Sequence, residues 1–102
     1  MLKYNYLYFI YDNINELGEI EMIDRSIIVS CIQTYNGEYS IQGFAKVLTG
    51  YKGFRFIPKL KRSKYYGILK NENIDEVMCI LTSLLNEGIL EERDNYKIFI
   101  VN

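Results

Sequence analysis

Histidine and tryptophan are absent from this chain of 102 residues, proline occurs once and cysteine twice. Without histidine the chain lacks the commonest metal ligand and the commonest general base near neutral pH. Ser30, Ser40 and Ser63 therefore have no imidazole to activate them. Glu91 and Glu92 fall on consecutive positions of a segment that reads as strand, so they point to opposite faces and make a poor acid–base pair. Cys31 and Cys79 are far apart, each within an apolar run, and read as small buried hydrophobes rather than a disulfide or metal pair. No GxxxxGK(S/T) loop is present, which excludes nucleotide hydrolysis by that route. No apolar run approaches the roughly 20 residues of a membrane helix. The start, MLKYNYLYFIYDN, has a short apolar block but no small-residue cleavage site, so no signal peptide is expected. Together these absences imply no metal, no cofactor, no catalysis by this chain alone, and the reducing cytoplasm as the default compartment.

What remains is the composition of one ordinary globular domain, 49% apolar, with a lopsided distribution of charge. The net charge is −1, yet eight of the twelve basic residues (Lys46, Lys52, Arg55, Lys59, Lys61, Arg62, Lys64, Lys70) lie between Tyr39 and Asn71, where no acidic residue occurs. The other four face all thirteen acidic ones. Within this region, residues 50–67, GYKGFRFIPKLKRSKYYG, interleave six cations with Tyr51, Phe54, Phe56, Tyr65 and Tyr66. The apolar positions require a core to pack on, so the stretch is not a solvated tail. A folded basic face with an acidic back is what a polyanion-binding surface produces; a basic face with no partner is the alternative.

Taken in order, residues 2–11 fit a short strand or a first helix, and Gly18 marks a turn. Asp24 then caps a helix whose Ile28, Cys31, Ile32 and Tyr35 recur at helical spacing, with Gly37 as its stop. Ser40 caps a second, with Ile41, Phe44, Ala45 and Leu48 on one face and Gly50 as stop; the short link between the two predicts a helix-turn-helix. Pro58 is tolerated only in the first turn of a third helix, which places its start near Ile57 and its end by Ser63. Asn73 caps a fourth helix over 73–87, with Glu76 placed to reach back and an apolar stripe of Ile74, Val77, Met78, Leu81, Leu84 and Leu85. Residues 89–93 and 97–101 read as two strands about the turn Asp94-Asn95-Tyr96. Helix, helix, basic helix, long helix and hairpin is the order of an α+β winged helix-turn-helix with a C-terminal β-hairpin wing.

Four features narrow the kind: GEYSIQGFAKVLTG at 37–50, Arg55 in mid-stretch, the pair Tyr66-Gly67, and LLNEGIL at 84–90. In these, and in the spacing from Gly50 to Gly67, the sequence resembles the RQC domain, the winged helix C-terminal to the motor of RecQ-family DNA helicases. The resemblance covers 24–102 and leaves 1–23 as an N-terminal extension. It implies a DNA-binding module that grips duplex backbone near a branch point and aids strand separation, nucleoid-associated if the source is bacterial. The motor then lies elsewhere in a longer protein, or the module stands alone. The DNA-binding residues expected are Lys52, Arg55, Lys59, Lys61, Arg62, Lys64 and Lys97. Arg55 has the alternative of holding the loop in shape, Phe54 and Phe56 are expected in the core, and Tyr65 and Tyr66 are expected to anchor the end of the stretch. The family's duplex-end wedge carries over to Tyr96, which otherwise is a cross-strand aromatic. The sequence departs from the family at Pro58, which shortens the third helix, and in 1–23, which hold no cysteine for a zinc subdomain. A monomer is expected. A dimeric sequence-specific regulator using residues 4–11 as its contact is one alternative, and a protein-interaction winged helix using the acidic face is the other.

Overall fold

The computed structural model of the chain describes residues 23–101; the strand or helix expected over 2–11 and the turn at Gly18 lie outside them. Three side-chain caps set the main helices. Helix α1, Arg25–Thr34, begins where the Asp24 carboxylate accepts the Ser26 N–H at 2.9 Å. Helix α2, Ile41–Thr49, begins where Ser40 Oγ accepts the Gly43 N–H at 3.1 Å. A 3₁₀ turn, Lys52–Phe54, leads to the short helix α3, Pro58–Lys61, which has Pro58 as its first residue, the one place where the missing N–H costs nothing. Helix α4, Ile74–Asn86, is capped by Asn73 Oδ1 on the Asp75 N–H at 2.7 Å. Its last carbonyls are met by the Gly88 N–H on Leu85 and the Ile89 N–H on Leu84, a Schellman ending that turns the chain into the hairpin.

Strands β1, Leu90–Arg93, and β2, Lys97–Ile100, pair antiparallel with Leu90 opposite Ile100 and Arg93 opposite Lys97. The turn between α1 and α2 lies along the other edge of β2. Gly37 N–H donates to Ile98 C=O at 2.8 Å, Ile98 N–H donates to Tyr39 C=O at 2.9 Å, and Ile100 N–H donates to Asn36 Oδ1 at 2.8 Å. The wing is thereby covered on an edge that would otherwise expose unpaired backbone groups. Nothing in the spacing of residues 36–39 announces this.

One core joins all of these elements. Phe44, Ile28, Ile32, Leu48, Leu60, Leu81, Leu84, Leu90 and Ile98 are fully buried within it. Burying each such side chain contributes ~1.5–3 kcal/mol. The helices that pack most closely are α2 and α4, rather than the sequence neighbours α1 and α2. On α4 the buried stripe is Val77, Ile80, Leu81, Ser83 and Leu84, while Ile74 is exposed and Met78 and Leu85 are half-buried. The apolar face is thus turned towards Ile80 and Ser83 relative to the sequence expectation. Cys31 is buried as expected, and burial pushes its thiol up to about 12. Cys79 is exposed, against expectation. Two residues beyond Val77, it lies about 200° around the helix from that residue, outside the buried stripe. Its phase on the helix overrides the general preference of cysteine for the interior.

Candidate nucleic-acid interface

The basic stretch forms a loop tied shut at its neck. Gly50 and Gly67 both adopt left-handed backbone, φ 75° and 73°, and lie against each other; a Cβ built on Gly50 would sit 3.1 Å from the Gly67 Cα. Such backbone and so close an approach are open only to glycine at little cost. The Gly67 N–H donates to Val47 C=O at 2.9 Å, beside the Gly50 N–H, and the Leu69 N–H donates to Leu48 C=O at 2.8 Å, so the returning chain is bonded to the last carbonyls of α2. Tyr66 Oη donates to Tyr51 C=O at 2.7 Å across the same neck, and Tyr65 is buried behind it. Tyr65 and Tyr66 anchor the end of the stretch as the sequence implied.

Inside the neck the side chains divide by chemistry. Leu60 is buried, and Phe54 and Ile57 are partly buried against the core. These inward residues recur every three positions, matching the 3₁₀ turn and the single turn of α3. Lys52, Arg55, Lys59, Lys61, Arg62 and Lys64 are all exposed. Phe56 does not join the core; it is 76% exposed, with the Arg55 guanidinium 4.7 Å from its ring centroid. The Ile57 N–H to Phe54 C=O bond closes a turn with Arg55 and Phe56 at its centre, and this points both outward. Arg55, Phe56, Pro58, Lys61 and Arg62 border a surface depression of about 510 Å³.

The cations differ in how far they are already engaged. Lys59 forms an ion pair with Glu38, and its ammonium lies 5.7 and 6.0 Å from the ring centroids of Tyr35 and Tyr39. The Glu38 hydrogen bond raises the pKa of Lys59, and burial raises that of the Tyr39 hydroxyl. Lys64 lies over the Tyr65 ring at 5.2 Å. Of the six, five make no ion pair with any described residue. The same turn that edges β2 therefore holds the loop: Glu38 reaches Lys59, and the Tyr39 ring lies 6.3 Å from Phe54.

The wing tip is built otherwise. Asp94, Asn95 and Tyr96 all have positive φ, 49°, 67° and 68°. Asparagine and aspartate tolerate this region, but for a large residue such as tyrosine it is strained. Tyr96 is 72% exposed. Lys97 beside it is half-buried and, with Tyr96, borders a groove shared with Ile41 of α2 and Met78 of α4. Arg93 is paired with Glu91 at 3.0 Å and stacked 3.9 Å from the Phe99 centroid. Glu91 is thereby engaged as a structural ion pair. Among the described residues no cluster of His, Cys, Asp or Glu could hold a metal ion, and no helix is long and apolar enough to cross a membrane.

A winged helix whose one basic loop faces outward belongs to the class of DNA-binding modules. The sequence profile of the RQC domain matches residues 23–102, and the chain belongs to that family, the winged-helix DNA-binding domain of RecQ helicases, which is not itself catalytic. No curated protein and no solved structure matches the chain.

Proposed function

We propose that this domain grips the backbone of duplex DNA through the loop 50–67 and places Tyr96 against the end of the duplex at a branch point. The observation that carries the reading is the loop itself: six outward cations on a closed, core-anchored scaffold, five of them without an ion-pair partner among the described residues. Lys52, Arg55, Lys61, Arg62 and Lys64 take phosphates directly. Lys59 joins them by exchanging Glu38 for a phosphate, and Lys97 adds a contact at the wing. Each neutralised phosphate releases counterions, so log K falls with log salt at a slope of ~0.9 per contact.

The exposed ring of Tyr96, carried on left-handed backbone, supports the second half of the reading, because strained backbone clusters at functional sites. Opening a terminal base pair costs a few kcal/mol, and stacking the freed base on an aromatic returns ~1–3 kcal/mol. The ring therefore aids separation that a motor elsewhere drives, without hydrolysing nucleotide itself. Anisotropy titrations on blunt duplex, forked DNA and single strand test the whole proposal. The expected order is fork, then duplex, then single strand, with a steep salt dependence; binding that is undetectable at micromolar protein, or insensitive to salt, sinks it.

A further inference from the structure

Phe56 is the most exposed large apolar side chain among the described residues, and the fold gives it no packing role. Its neighbours Phe54 and Ile57 anchor the two ends of the turn, so Phe56 is displayed by a rigid support rather than left over from a disordered tail. The Arg55 guanidinium covers the ring at 4.7 Å, and Lys61 and Arg62 border the same depression. A ring bearing a stacked cation, with two further cations alongside, complements a ligand that offers a flat π face next to a phosphate. Paired bases inside a duplex do not offer that face, because their neighbours in the stack cover it. An unpaired nucleotide does.

We infer that Phe56 is a stacking platform for one base of an unpaired strand, with Lys61 and Arg62 holding the phosphates that flank it. The inference rests on the reading of this loop as a DNA-binding surface and adds a second function to it. The loop distinguishes a duplex that continues from one that opens into single strand. It would do so independently of Tyr96, which lies on the wing.

The test compares blunt duplex with the same duplex carrying a short single-stranded overhang, in which the first unpaired base is 2-aminopurine. Phe56→Ala is expected to lower affinity for the overhang DNA about tenfold, the loss of one base–aromatic stack, and to leave blunt-duplex affinity within about twofold. Quenching of 2-aminopurine is expected with the wild type and with Phe56→Trp, and not with Phe56→Ala. Because the ring is exposed, the alanine variant keeps the core intact, and an unchanged melting curve verifies it. Equal losses on both DNAs overturn the inference, since the ring would then support the loop rather than read a base. No loss on either also overturns it, since the ring would then make no contact with DNA. A wild type that binds blunt and overhang DNA equally, without quenching, overturns this inference alone; one that binds neither overturns the reading of the loop as well.

Discussion

The basic loop and the wing each lift one aromatic ring into solvent, Phe56 at 76% and Tyr96 at 72% exposure, and they hold it by opposite means. Phe56 sits on an ordinary turn whose ends are nailed to the core by Phe54 and Ile57, in a segment of six cations and no acid. Tyr96 sits on left-handed backbone at the tip of two four-residue strands, where Glu91, Glu92 and Asp94 outnumber Arg93 and Lys97. One region has charge and little strain, the other strain and little net charge. Affinity, its salt dependence and the reading of an unpaired base should therefore reside in the loop, and the prying apart of a terminal pair in the wing.

The sharpest way to break that division is charge reversal. Lys61→Glu with Arg62→Glu is expected to weaken blunt-duplex binding about 100-fold at about 0.1 M salt, because two phosphate contacts become repulsions. The neutral pair, Lys61→Ala with Arg62→Ala, should lower the slope of log K against log salt by about 2. Lys97→Glu should cost far less. If it costs as much, the wing shares the grip and the division is wrong.

Next in size is the neck. Gly50→Ala places a side chain on left-handed backbone, at about 1–2 kcal/mol, and sets its Cβ 3.1 Å from the Gly67 Cα. Gly88, at the entrance to the wing, is also left-handed, φ 79°, but has nothing within 4 Å of a Cβ. Gly88→Ala therefore suffers the backbone penalty alone. Chemical denaturation should show Gly50→Ala as the less stable of the two, and only Gly50→Ala should weaken duplex binding, because only it opens the neck. Equal effects would mean that the glycine contact does not hold the loop.

At the wing the sign reverses. Tyr96→Gly removes the strained conformation and should raise stability by about 1 kcal/mol in the same denaturation experiment. It should also lower the preference for forked over blunt DNA to the part that Phe56 supplies, while leaving the salt slope unchanged. A loss of stability would show that the ring packs within the hairpin and is not held out for a ligand.

Much of this contrast was legible in the sequence, and the illegible part has a common cause. The caps Asp24, Ser40 and Asn73, the start of α3 at Pro58 and the hairpin are local, because each depends on a few adjacent residues. The basic segment was visible as charge. Three facts were not local: that Gly50 touches Gly67, that residues 36–39 edge β2, and that Glu38 holds Lys59. Each arises from pieces of chain brought together by the core. Cys79 and Phe56 failed for another reason, since residue type argued for burial while the phase of α4 and the turn at 54–57 put them outside. The phase of Cys79 could have been read from its angle to Val77, Leu81 and Leu84. The outward turn of Phe56 could not, because the same interleaved pattern also fits a helix burying it.

The smallest effect concerns the link between the two regions. The turn 36–39 pairs with β2 through Gly37 and Tyr39 and with the loop through Glu38, so Glu38 stands where wing and grip meet. Glu38→Gln frees Lys59 and removes a negative charge from the edge of the basic face. Duplex affinity should rise about two- to threefold, and the salt slope should gain up to ~0.9, one additional phosphate contact. Thermal stability should hardly change, because exposed ion pairs contribute little. The pH cannot substitute for the mutation. The Glu38 hydrogen bond raises the pKa of Lys59 above its unfolded value, so the tie is fully present below that value and is lost only as pH rises through the still higher folded one. With no histidine in the chain, binding measured between about pH 6 and 9 should be flat for the wild type. If Glu38→Gln instead weakens binding, Glu38 is needed to position Lys59 for its phosphate. Wing and loop would then act as one surface joined at this turn.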